Sequence, residues 1–186
     1  MKKIAVFLLS ICFLSGCSAN GDPVSRAMDL RSKLLESSGC SFTAVISVDY
    51  EDKIYTFTLD CTADSEGNLS FVVSDPQTLG GITGSFSKKG GALTFDDKVL
   101  AFPLLADGQI APVCTPWILL NTFRGGYISG CGQDKENLRI YYDDSFENSV
   151  LHLEALLDEN NIPIYGEIFW RERRILSADI RNFVLL

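Results

Sequence analysis

Side chains able to do chemistry are few in this chain, and they are scattered. The one histidine, His152, lies in Val150-Leu151-His152-Leu153-Glu154. On a strand it shares a face with Val150 and Glu154, while Leu151, Leu153 and Ala155 form the opposite, buried set. It is therefore expected at the surface or rim. The acid pairs Asp96-Asp97 and Asp143-Asp144 are expected in turns, where neighbouring carboxylates stay solvated. A nucleophilic cysteine needs a base beside it, and His152 is poorly placed to be one. There is no GxSxG, no HExxH and no glycine loop ahead of a helix, so the usual signatures of hydrolases, metalloproteases and nucleotide sites are missing. No Cys-x-x-Cys or Cys/His spacing suggests zinc. The chain is expected to be non-enzymatic, with no cofactor and no metal. Arg171, Arg173 and Arg174 make one basic turn. That turn is either a solvated hairpin tip that discourages edge pairing, or a docking point for an acidic partner or a lipid headgroup.

Cys17 has the most specific setting of the six cysteines. Lys2 and Lys3 precede an apolar run from Ile4 to Leu14 broken only by Ser10, and Ser15-Gly16-Cys17 follows. A positive start, a short apolar stretch and small residues read as a secretory signal, too short to span a bilayer as a stable helix. The small-small-Cys ending resembles the signal of bacterial lipoproteins. That resemblance implies alkylation of the Cys17 thiol with diacylglycerol and cleavage just before it. Residues 1–16 would be the signal, 17–22 a lipidated, small and polar tether, and 23–186 one domain. Four cysteines remain: Cys40, Cys61, Cys114 and Cys131. An even number in an exported chain suggests two disulfides. The alternative is four buried thiols, since cysteine is also a small apolar core residue.

Charge narrows the partners. The chain carries 16 Lys and Arg against 24 Asp and Glu, and losing Lys2 and Lys3 with the signal takes its net charge from −8 to −10. An acidic domain does not hold nucleic acid by phosphate contacts, nor an anionic leaflet by charge. Membrane attachment has to come from lipid, at roughly 0.8 kcal/mol per buried methylene. The expected location is the bacterial cell envelope, outside the cytoplasm. In a one-membrane bacterium that is the outer leaflet of the cytoplasmic membrane, and in a two-membrane one the outer membrane.

The positioning elements follow from periodicity. Val24, Ala27, Met28, Leu30, Leu34 and Leu35 recur at helical steps from Pro23 to about Ser38. From Cys40 the period becomes two. Phe42, Ala44, Ile46 and Val48 form one dry face, and Tyr55, Phe57, Leu59 and Cys61 form another, with a polar turn between. A two-residue turn at Tyr50-Glu51 places Ile46 across from Tyr55 and Cys40 across from Cys61. That register favours a Cys40–Cys61 disulfide and leaves Cys114–Cys131. Further short strands run to Phe102. Residues 103–125 are apolar and proline-punctuated, with one short helix expected around Trp117-Ile118-Leu119-Leu120 and Phe123. Strands then resume to Phe183, with turns expected at Gly132-Gln133-Asp134 and at Asp143-Asp144-Ser145. The result is an α+β, mainly β chain. Its single antiparallel sheet of about ten or eleven strands must curl into a half-barrel. The N-terminal helix and the 103–123 segment are available as a lid on the concave side.

With these elements in place the chain resembles the LolA-like lipoproteins, a superfamily that includes LolA, LolB, RseB, LppX, LprG and GerS. The helix Val24 to Ser38, Phe42-Thr43-Ala44 with Tyr55-Thr56-Phe57, and the Pro76 to Ile82 stretch carry the likeness. So do Leu93-Thr94-Phe95-Asp96-Asp97, Pro163 to Phe169 and Ala178 to Phe183. The resemblance implies a curved sheet plugged on its concave side. It also implies a lipid or acyl-chain ligand or an envelope protein partner. A cavity for a ligand would be lined by Phe42, Ile46, Phe57, Leu59, Phe71 and Phe95 from the sheet, under Trp117 and Leu120. If the same residues fill a core instead, the chain is an accessory or regulatory lipoprotein that binds an envelope protein. Volume separates the two readings.

Overall fold

A computed structural model describes residues 22–186 apart from 51–52, 103–104, 107–108 and 147–148. The signal, Cys17 and nearly all of the tether lie outside the described residues. The Asp22 carboxylate accepts the Ser25 backbone N–H at 3.2 Å, and Pro23 takes the first helical position. Together they start helix α1 (Pro23–Glu36) by satisfying one orphan donor and supplying none where none is needed. Ala27, Leu30 and Leu34 make its buried stripe.

Strands β1 (Gly39–Asp49), β2 (Ile54–Asp64), β3 (Leu69–Asp75), β4 (Thr83–Ser87), β5 (Gly90–Phe95) and β6 (Lys98–Phe102) form a first meander. A two-strand ladder, β7 (Leu105–Ala106) with β8 (Gln109–Ile110), leads into a 3-10 turn and then helix α2 (Thr115–Gly125). Strands β9 (Tyr127–Asp134), β10 (Asn137–Phe146), β11 (Ser149–Leu157), β12 (Pro163–Trp170) and β13 (Arg173–Leu185) form the second meander. Pairing of β1 with β13 joins the two. The result is one open sheet of 11 strands in the order β6-β5-β4-β3-β2-β1-β13-β12-β11-β10-β9. All neighbours are antiparallel. This is the mainly β half-barrel expected from the sequence. Both helices pack their apolar residues into the same core as the buried face of the sheet.

Two expectations are corrected here. The β1–β2 register is two residues away from the one anticipated. Ile46 faces Phe57, Phe42 faces Cys61, and Cys40 faces Ala63. A longer connection, closed by the Tyr50 N–H to Lys53 C=O bond at 3.0 Å, sets this register. The expected turns at Gly132–Asp134 and Asp143–Ser145 are strand. The first hairpin turns later at Lys135-Glu136, where Lys135 takes φ 57°. The second closes only at Phe146–Ser149. Asp96-Asp97 is a two-residue turn as expected, with both residues at positive φ (47° and 60°), the shape that matches strand twist.

Candidate functional site: the covered concave face

Helix α2 decides what the concave face can do. Thr115, Pro116, Trp117, Ile118, Leu119, Leu120, Thr122 and Phe123 are all buried. A helix apolar all round is an interior element, not a surface lid. Each large side chain so buried contributes roughly 1.5–3 kcal/mol. The sheet floor beneath it is made of small residues. Ala155, Gly166 and Ala178 stand in register on three adjacent strands. A Cβ on Gly166 would sit 2.7 Å from Leu119 Cδ1, so the missing side chain is what lets Leu119 descend to the floor.

The C-terminal end of α2 is fastened to its surroundings. Arg31 of α1 donates to the carbonyl oxygens of Phe123 and Gly126. In return Arg124 of α2 donates to Leu34 O at 2.9 Å and to Ser65 O at 2.6 Å. Asn121 Nδ2 bonds Trp117 O at 2.9 Å and reaches Gly67 O at 3.4 Å. The two arginines thus satisfy carbonyl groups that helix ends leave open. Sequence reading missed both. The available signal was Arg124, a lone charge at the end of an otherwise apolar helix.

A pocket between α2 and the sheet, bounded by Phe42, Ala44, Leu119, Leu120, Phe123 and Phe183, has a volume of about 10 Å³. That is room for about one water molecule, where ligand pockets run to several hundred Å³. Of the expected lining residues, Phe42, Ile46, Leu59, Phe71, Trp117 and Leu120 are buried in the core, and Phe57 is half-buried against it. Phe95 is 50% exposed and stands apart from them. The concave side is open beyond the N-terminal end of α2. There Val48, Tyr50, Lys53, Tyr55, Phe57 and Pro112 line a groove of about 630 Å³. Tyr50 and Tyr55 meet edge to face, with ring centroids 5.9 Å apart.

No disulfide joins any of the four described cysteines, Cys40, Cys61, Cys114 and Cys131. Cys40 and Cys61 lie on the same dry face but are diagonal across the β1–β2 ladder, because the register opposes them to Ala63 and Phe42. Cys114 is buried just ahead of α2, and Cys131 is half-buried on β9. Burial pushes Cys40 up to about 11 and Cys114 up to about 12, and it raises Cys61 further still. At neutral pH these groups are protonated, inert and poor nucleophiles.

His152 is on the solvent face of the sheet, as expected from its strand parity. Its Nδ1 lies 3.0 Å from Asp143 Oδ1, directly across the ladder. Its ring lies between Tyr141 and Phe169 at centroid distances of 6.2 and 5.8 Å. Beside it Glu154 and Glu167 oppose each other on β11 and β12, a like-charge pair that needs compensation. Arg139 supplies it by meeting Glu154 at 2.6 Å, and Arg174 by meeting Glu167 at 2.8 Å. Of the basic turn, Arg174 is committed to Glu167, Arg173 reaches Asp49 O at 3.3 Å, and Arg171 stacks over Trp170 at 4.4 Å. Among the described residues no group of three or more His, Cys, Asp or Glu is placed to hold a metal ion. None of the described helices is long and apolar enough to cross a membrane.

No family model matches the sequence, and no curated protein does. Solved structures align along most of the chain at low identity. A LolA superfamily protein from Nitrosomonas europaea aligns over 86% of this chain and 93% of its own, at 10% identity and a TM-score of 0.47. Lipoprotein LppX of Mycobacterium tuberculosis aligns over 87% of this chain and 92% of its own, at 8% identity and a TM-score of 0.44. A chain of the complex between the CwlD amidase of Clostridioides difficile and the GerS lipoprotein aligns over 91% and 95%, at 13% identity and a TM-score of 0.39.

Proposed function

We propose that this chain is an exported envelope lipoprotein, anchored through Cys17, that works by binding a protein partner and performs no catalysis. The filled concave face carries this reading. About 10 Å³ between α2 and the sheet holds no acyl chain. The signal at residues 1–16, with Ser15-Gly16-Cys17 at its end, supports export and a lipid anchor on an envelope membrane. Residues 17–22 serve as the tether and 23–186 as the binding domain. Apolar side chains left in solvent support a protein partner: Tyr50, Ile54 and Tyr55 are exposed at the β1–β2 hairpin end, around the open groove. Surfaces of this kind mark protein contacts when they are contiguous. The test is mass spectrometry of a soluble form beginning at Ser18, once native and once after denaturing extraction. The expected result is the protein mass alone in both, also after incubation with membrane extract. A stoichiometric lipid released on denaturation overturns the reading in favour of a carrier.

A further inference from the structure

An open sheet has two edges, and in this molecule they are treated differently. At one edge, β9 packs against α1, contains Gly130 and Gly132, and pairs with β10 through a register shift at Tyr141/Tyr142. Coverage and irregularity are the usual means of blunting an edge. At the other edge, β6 reads Lys-Val-Leu-Ala-Phe without proline, and it pairs with β5 in unbroken register. Val99 and Leu100 are 68% and 63% exposed. No described strand pairs with its outer side.

The register fixes which backbone groups of β6 face outward. Phe95 and Lys98 flank the two-residue turn and form a hydrogen-bonded pair, so Leu93–Leu100 and Gly91–Phe102 do so as well. Val99 and Ala101 alternate with them, so their N–H and C=O groups point away from the sheet. We propose that β6 pairs antiparallel with β6 of a second copy of this chain, about a two-fold axis at Leu100. In that register Val99 of each copy exchanges both bonds with the second copy's Ala101. Every outward group of the two central pairs is then satisfied. Leu100 meets its own counterpart, on the face where Leu93 joins the core.

Charge selects the second copy and the antiparallel direction. β6 begins at Lys98 directly after the acidic turn Asp96-Asp97, an end that is net negative, and its other end lies one strand from the basic β4–β5 turn Lys88-Lys89, because Phe102 pairs with Gly91 and Ser87 with Gly90. Antiparallel pairing sets the acidic end of each copy alongside the basic end of the other, whereas parallel pairing sets like beside like. The contact is isologous and closes on itself, joining two 11-stranded sheets and leaving as outer edges only the two blunted β9 strands.

The test is sedimentation equilibrium of the form beginning at Ser18 over a rising concentration series, since so small a contact associates weakly. A reversible monomer–dimer equilibrium is expected, and Leu100→Lys weakens it about tenfold or more by opposing like charges at the axis. Circular dichroism of the variant checks that the fold is kept. Independently, Leu100→Cys forms a disulfide-linked dimer under a mild thiol oxidant, while Val72→Cys, exposed on β3 away from the edge, does not. A chain that stays monomeric at every concentration overturns the proposal, as does equal cross-linking of the two cysteine variants. Either result leaves the β6 edge to an extended segment of another protein. Neither depends on whether the concave face carries a lipid.

Discussion

At Gly166 the helix and the sheet come closest, and one methyl group decides how close. The Leu119 methyls fill the place of a Cβ there, and Leu119 is itself fully buried, so it has no free direction in which to retreat. Gly166→Val is therefore expected to destabilise the fold by about 1–3 kcal/mol, the usual cost of overpacking a dense core. Urea denaturation checks this as a lower midpoint with an unchanged slope. Wild-type midpoints would mean that α2 rides loosely over the sheet. Cys40, Cys61 and Cys114 are buried in the hydrophobic core, where cysteine serves as a small apolar side chain.

Helix α2 is the element on which the two functional readings part. Its arginine contacts and its all-round burial make it a structural member, so truncating it should cost stability. Trp117→Ala is expected to lose about 3–5 kcal/mol, measured by chemical denaturation. A stability loss under about 1 kcal/mol would identify α2 as a removable lid. Its existence was legible in the sequence, because an uncharged apolar stretch between prolines has to pack somewhere. That it fills the face was not legible, since volume depends on how far Gly166 and Ala178 let it sink. The strands show a similar division. Alternation in β1 and β2 fixes which face is dry, but sliding one strand by two residues preserves that alternation. The register, and with it the opposition of Cys40 and Cys61, rested entirely on a loop whose length composition does not determine. Asp143 misled for a related reason. It looks like a turn residue, yet on the solvent face of β10 it is an ordinary outward position across from His152.

Across the whole molecule the sheet is unevenly supported. Strands β2, β1 and β13 lie in its middle and carry much of the buried core. Among the described residues, the wing from β4 to β6 has one fully buried large side chain, Phe86. Local opening should follow that gradient. Hydrogen–deuterium exchange is expected to label the β5 and β6 amides first and those of β1 and β13 last. Uniform protection across all eleven strands would show that the wing opens only with the whole fold.

The row Ala155, Gly166 and Ala178 has a further consequence. Its side chains are a hydrogen and two methyl groups, so the floor contributes almost no bulk to the interior. Nearly all the matter between the layers there hangs from α2. The scaffold's capacity for a guest is then written in one short helix: shortening Leu119 and Leu120 would hollow the molecule while every strand kept its sequence and its partners.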